Sequence, residues 1–168
     1  MDDYKEKVKR LAHERTGESF YNNSPDHAAI IIESLLETAQ SEACIVTTAM
    51  NPDVFGREAV VSAARHLLSD AKRSMRILIE TDPVDAVSPG HPLVQELRQH
   101  NAVEVRQIPS LISNDMDYHF TVVDGDSFRF EPDKQKWEAS AAFGDERNGK
   151  KLKSIFDSVW EMSQVVAL

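Results

Sequence analysis

Apolar residues at three- and four-residue spacing mark the first long element, in which Ala28, Ile31, Ile32, Leu35, Leu36 and Ala39 share one side of a helix while Glu33 and Glu37 stay in water. Ser24 precedes it as a capping residue with Pro25 at the first helical position, the stretch from Phe20 to Asp26 reads as a turn, and the helix runs to about Ser41. His27 then falls in the first turn as a surface residue. Upstream, Tyr4, Val8, Leu11 and Ala12 give residues 2–16 one apolar stripe, the pattern of an amphipathic lid or docking helix. The chain accordingly divides into an N-terminal helix over residues 1–19 and a single domain over 20–168.

Beyond Ser41 the period changes. Residues 43–48, from Ala43 to Thr48, are almost continuously apolar, as in a central strand buried on both faces. A helix over about 57–71 turns Val60, Val61, Ala64, Leu67 and Leu68 inward, and a strand follows at 75–80. The segment from Asp82 to Pro92 is rich in turn residues and reads as a loop. After it, Leu93, Val94 and Leu97 mark a shorter helix, and 103–108 a further strand. This alternation predicts parallel pairing. Three strand-like runs at 118–124, 127–131 and about 136–143, separated only by the turns Gly125-Asp126 and Pro132-Asp133, predict an antiparallel end to the sheet. Leu152, Ile155, Phe156, Val159 and Trp160 place a last helix over about 145–162. One mixed α/β domain accounts for this order.

Composition narrows the classes. The 168 residues carry 28 acidic and 19 basic side chains, a formal net charge of −9, and are 41% hydrophobic, which suits a core that needs no staples. The lone Cys44 permits no disulfide framework or cysteine-rich zinc site and reads as a core residue. His13, His27, His66, His91 and His100 are scattered without zinc-ligand spacing, so no metal is expected. No apolar run approaches the roughly 20 residues that cross a bilayer, and Met1 to Arg10 lack the apolar core of a secretory signal, so the expected setting is the cytoplasm, with no membrane contact. The acidic balance argues against bulk nucleic-acid binding. Lys134, Lys136, Arg147, Lys150, Lys151 and Lys153 make the C-terminal third locally basic, as a solvated face or a contact for a phosphate-bearing ligand or acidic partner.

The chemistry concentrates near residue 120. Period two puts Asp117, His119 and Thr121 on one strand face and Tyr118, Phe120 and Val122 on the other, so a carboxylate lies within reach of an imidazole that it can orient and charge. Ser140 and Cys44 lack the local setting of a hydrolase nucleophile.

Taken in order, Phe20-Tyr21-Asn22 with His27, Thr47-Thr48-Ala49-Met50-Asn51, the run His119 to Gly125, and the run Ala139 to Asp145 leading into Leu152, Phe156 and Trp160 resemble one half of the phospholipase D superfamily. The resemblance implies an α/β fold with a phospholipase D-like mixed β-sheet flanked by helices on both faces, one half-domain per chain. Active members carry His-x-Lys, four residues, then Asp, with a later Gly-Ser-x-Asn. With Val122-Val123-Asp124-Gly125 in register, Asp117 stands at the His and His119 at the Lys. Ser140 keeps the later Ser, while Ala139 and Ala142 replace the Gly and Asn. A second register keeps His119 as nucleophile with Asp126 at the right spacing but puts Thr121 in place of Lys. In the family one His attacks phosphorus, another protonates the leaving group, and the Lys pair holds the phosphoryl oxygens without a metal or cofactor. A single-motif chain must form a homodimer to assemble that site. With the pair replaced, the resemblance implies a degenerate, non-catalytic module of bacterial type, acting in binding or regulation through an unidentified protein partner or phosphate-bearing ligand. Its pocket candidates are Asp117, His119, Thr121, Asp124 and Ser140. The alternative is a metal-independent phosphodiesterase or nuclease using His119, with Asp117 and Asp124, across the dimer.

Overall fold

The computed structural model describes residues 1–168 and contains one eight-stranded mixed sheet. In chain order the elements are α1 (Asp2–Glu14), β1 (Phe20–Asn22), α2 (Pro25–Thr38), β2 (Glu42–Thr47), α3 (Pro52–Phe55), α4 (Glu58–Leu68), β3 (Ser74–Ile79) and α5 (Pro83–Ala86). They continue with α6 (Pro92–Leu97), β4 (Val103–Gln107), α7 (Ser110–Ser113), β5 (His119–Val123), β6 (Ser127–Glu131), β7 (Ala139–Phe143), α8 (Glu146–Glu161) and β8 (Gln164–Val166). The strand order is β1-β7-β6-β5-β2-β3-β4-β8. Strands β2, β3 and β4 pair in parallel through the helical crossovers, and every other pairing is antiparallel.

The apolar run in β2 is continuous because it feeds two cores. Ala43 and Ile45 point to the layer of α1, α2, α4 and α6, together with Met75, Ile77, Ile79, Val105 and Val123. Cys44 and Val46 point to the opposite face, where Leu78, Phe120, Val122, Phe128 and Ala142 meet Leu152, Phe156, Val159 and Trp160 of α8. Arg76 fastens α8 to that face. Its guanidinium lies 5.0 Å from the Phe156 ring centre and 5.2 Å from that of Trp160, and it pairs with Asp157 at 3.0 Å and Glu42 at 3.2 Å. No helix is long and apolar enough to cross a membrane.

The N-terminal helix is part of the core rather than a free lid. Val8, Leu11 and Ala12 pack into the first core, and α1 lies against α2 and β7. This covers two residues that the helical pattern had placed in water. Glu33 is buried and pairs with Lys5 at 2.9 Å, and the half-buried His27 ring stacks on Tyr4 at 3.7 Å. Ser24 caps α2 as the sequence predicts, its hydroxyl accepting the His27 N–H at 3.1 Å.

Two strands escape the periodic reading. Phe20–Asn22 forms the edge strand β1 on β7, and Gln164–Val166 forms β8 on β4. Three residues are too few to show a period, and only their distant partners define them. The loop from Asp82 to Pro92 contains α5, whose first turn is capped by Asp82. The run expected from about 136 becomes a strand only at Ala139, because Asp117 and Asp133 carbonyls accept the N–H groups of Lys134 and Lys136 and hold the preceding segment as a loop.

Candidate functional site

An open cleft of about 740 Å³ lies at the end of the sheet where β2 and β3 finish and β5 begins. Ligand sites in parallel α/β sheets gather at this end, where strand termini release their side chains and backbone groups. Its lining includes Thr47 at the end of β2, Thr48 and Asn51 after it, His119 and Thr121 of β5, Glu131 of β6, and Lys134 and Trp137 of the β6–β7 loop. The register explains the grouping. Thr121 faces Ile45 on one side and Arg129 on the other, so His119, two residues earlier, stands beside Thr47 and directly opposite Glu131.

The centre of the site is the Glu80 carboxylate, delivered by the residue after β3. One oxygen lies 3.2 Å from His119 Nε2, and the other accepts from Lys134 Nζ at 3.0 Å. The Thr48 hydroxyl lies 3.4 Å from Glu80 and 3.5 Å from the same imidazole nitrogen. Burial alone pushes the Glu80 carboxyl up, but hydrogen bonds and charge from His119 and Lys134 outweigh it and hold the group below its ordinary value, so it is ionised at neutral pH. Lys134 also donates to the Ser113 carbonyl at 3.1 Å. The His119 imidazole and the Lys134 ammonium are therefore both turned onto one internal carboxylate.

Behind this trio, Arg129 is 4% exposed and fully engaged. Its Nε donates to Asn22 at 3.0 Å, Nη2 donates to the Trp137 carbonyl at 3.2 Å, and Nη1 pairs with Glu131. This network holds two residues of the cleft wall in place. On the opposite side His91 accepts the Leu93 N–H at Nδ1 and therefore carries its proton on Nε2, which donates to the Met50 carbonyl at 2.7 Å. That bond supports the turn after β2, where Met50 adopts a left-handed φ of 53°.

The residues singled out from the sequence are distributed as follows. His119 and Thr121 are buried and line the cleft. Asp117 is exposed just before β5, and its backbone carbonyl, rather than its carboxylate, is engaged, accepting the Lys134 N–H at 2.7 Å. The carboxylate that meets the imidazole is Glu80, not the same-strand Asp117. Ser140 pairs with Phe130 and projects from the face opposite His119. Asp124 sits at the far end of β5 and accepts from the N–H groups of Gln40, Ser41 and Glu42 and from the Ser41 hydroxyl. Lys134 faces the cleft, and Lys153 pairs with Asp157 and Glu42, so neither belongs to a solvated basic face. Burial, with the negative Glu42 beside it, pushes the Cys44 thiol up to about 12, which leaves it protonated and inert. Glu80 and Arg129 were missed, and Lys134 was named only as one of a locally basic set, because no local pattern links a residue at the end of one strand to an imidazole at the start of another. The only available signal was a lone carboxylate directly after the apolar run Ile77-Leu78-Ile79.

Asp124 predicts a stability effect of its own. Burial pushes its carboxyl up, yet the hydrogen bonds from Gln40, Glu42 and Ser41 pull it below the usual carboxylate range. Because the native value lies below that of the unfolded chain, this stabilisation is complete above the usual range and is lost as pH falls through the lowered native value. Asp124→Ala is expected to cost about 2 kcal/mol at neutral pH in urea unfolding, with a smaller deficit in acid. Asp124→Asn keeps one acceptor and tolerates the left-handed φ of 54°, and it should flatten the acid limb.

Comparison with known proteins supports the fold. The model of a family described as a domain of unknown function (DUF7931) matches residues 24–167. No curated protein matches the sequence. Among solved structures, NucT from Helicobacter pylori is similar with a TM-score of 0.64 at 12% identity, over 89% of this chain and 100% of that one. Nuc from Salmonella typhimurium, a phospholipase D family member, aligns with a TM-score of 0.61 at 10% identity, over 90% of this chain and 99% of its own. TrmBL2, an archaeal chromatin protein described as showing a novel mode of DNA binding, aligns with a TM-score of 0.63 at 14% identity over 98% of this chain. The chain spans 62% of that protein's length. The mixed sheet with helices on both faces is thus a phospholipase D-like fold.

Proposed function

The chain belongs to the DUF7931 family, a domain of unknown function, and we propose that it is a non-catalytic phospholipase D-like module that works by binding, in a regulatory role. The observation that carries this reading is that Glu80 takes both His119, at 3.2 Å, and Lys134, at 3.0 Å. Phosphodiester transfer needs a nucleophile with a free lone pair and cations aimed at the phosphoryl oxygens. Here the outer imidazole nitrogen is held by a carboxylate, and Lys134, which shares that carboxylate, is neutralised by it. The cleft retains hydroxyls from Thr48 and Thr121, an aromatic wall at Trp137 and apolar lining at Val54 and Phe55, which suit recognition. A solved relative of this fold is a chromatin protein that binds DNA, which supports a binding role. The formal charge of −9 turns the proposal away from bulk nucleic acid.

The test is turnover of a chromogenic phosphodiester and of single- and double-stranded nucleic acid by the native protein and by His119→Ala, with and without chelator. The expected result is the same background rate in both. A second reading is favoured by the His119–Glu80 pair itself, since a carboxylate-oriented imidazole is a general acid–base device. It requires a homodimer, so that two imidazoles meet. Chelator-resistant turnover that vanishes in His119→Ala, from a species whose light-scattering mass equals two chains, would establish it and end the non-catalytic reading.

A further inference from the structure

Three donors converge on the Glu80 carboxylate: the His119 imidazole, the Lys134 ammonium and the Thr48 hydroxyl. They come from three separate segments, so their convergence is a product of the fold and not of one local motif. All three donor residues line the cleft, whereas Glu80 approaches them from the end of β3 and keeps only 9% of its side chain exposed. Such a set has the composition of an oxyanion site, with a compact cation, a second ring N–H and a hydroxyl arranged about two oxygens.

We propose that Glu80 is the internal occupant of an oxyanion site formed by His119, Lys134 and Thr48, and that it closes the native cleft to free oxyanions. This rests on the same Glu80 bridge as the proposed function but makes a separate claim, about binding and not about turnover. A neighbouring carboxylate is present at very high effective concentration, so a free anion of similar affinity cannot displace it. An incoming phosphate would also face the negative charge of Glu80 at close range in a partly desolvated setting. Removing the carboxylate reverses both effects. It leaves Lys134 with only the Ser113 carbonyl, and an anion entering from the cleft then neutralises the donors that Glu80 neutralised before.

The experiment measures thermal stability against millimolar inorganic phosphate for the native protein, Glu80→Ala, Glu80→Gln and the double variant Glu80→Ala with Lys134→Ala, at constant ionic strength. A ligand that binds only the native state raises the melting temperature saturably. The native protein is expected to show no saturable shift. Glu80→Ala should start from a lower melting temperature and recover several degrees with phosphate, Glu80→Gln should respond less because its amide oxygen still accepts from Lys134, and the double variant should not respond. If Glu80→Ala is unfolded without phosphate, recovery of its circular dichroism by phosphate supports the proposal, and the response of Glu80→Gln is read instead of a melting shift. Silence in both single variants shows that the donors form no oxyanion site and overturns the inference, while the non-catalytic reading stands. Saturable binding by the native protein as tight as by Glu80→Ala overturns it too, since Glu80 then closes nothing. Diester turnover by the native protein is the separate result that defeats the proposed function.

Discussion

Arg129→Ala is expected to destabilise the protein by about 3–5 kcal/mol, the cost of leaving buried polar and charged groups without their partner. The guanidinium is buried beneath the cleft wall, and each of its three nitrogens has a partner: Asn22 takes one, the Trp137 carbonyl another, and Glu131 the third. Truncation leaves the Glu131 carboxylate facing a void and the Asn22 oxygen without a donor. A buried ion pair is weak in net terms but costly to break from one side. The double variant Arg129→Met with Glu131→Gln should therefore recover a large part of the loss. The two variants are compared by urea unfolding. Because Trp137 belongs to the same wall, its fluorescence should shift to the red in Arg129→Ala and return toward the native position in the double variant, while Trp160, buried between α8 and the sheet, contributes a constant background. An Arg129→Ala protein as stable as the native one would show that the network is replaceable by water and that the cleft wall stands without it.

The second large effect is expected at Gly144, where the chain leaves β7. Its φ is +82°, and a Cβ built there would lie 2.3 Å from the Arg15 carbonyl oxygen, a backbone atom that cannot rotate away. This is the point at which the C-terminal end of α1 closes over the sheet, with Gly17 N–H donating to the Phe143 carbonyl at 2.8 Å. Gly144→Ala combines a left-handed conformation costing about 1–2 kcal/mol with overpacking of about 1–3 kcal/mol, so a loss of about 3 kcal/mol is expected. Gly90→Ala is the control. Nothing lies within 4 Å of the added carbon there, and the change should stay within about 0.5 kcal/mol. Hydrogen exchange of α1 separates the two parts of the Gly144 effect, because a displaced helix loses protection at Val8, Leu11 and Ala12 before the sheet unfolds.

Most of the fold was legible because its elements are long and their faces are dry. The stripe from Ala28 to Ala39 can be satisfied only by a helix on a sheet, and the run from Ala43 to Thr47 only by a strand covered on both sides. The turns Gly125-Asp126 and Pro132-Asp133 fixed the change from parallel to antiparallel pairing, since two strands joined by so short a link have no room for a crossover. The edge strands β1 and β8 were not legible, having three residues each and partners that lie far along the chain. Exposure was also misjudged where α1 lies over α2. Glu33 and His27 sit at helical positions that face water in an isolated α2, and only the docking of a second helix buries them.

For the site, the sequence by itself determined that His119 and Thr121 share one strand face, because side chains alternate on any extended chain. It also determined that the β5–β6 turn follows at Gly125. What it did not determine is which charges surround the imidazole. Lys134 meets Glu80 across 54 residues, and Thr48 meets His119 across 71. Those distances close only when β2, β3 and β5 have paired in one register, and a shift of one residue would turn His119 into the opposite core and separate it from Glu80. Local periodicity fixes what each strand presents to each face. The identity of the group that meets His119 was decided by strand order and register, which depend on the whole sheet at once.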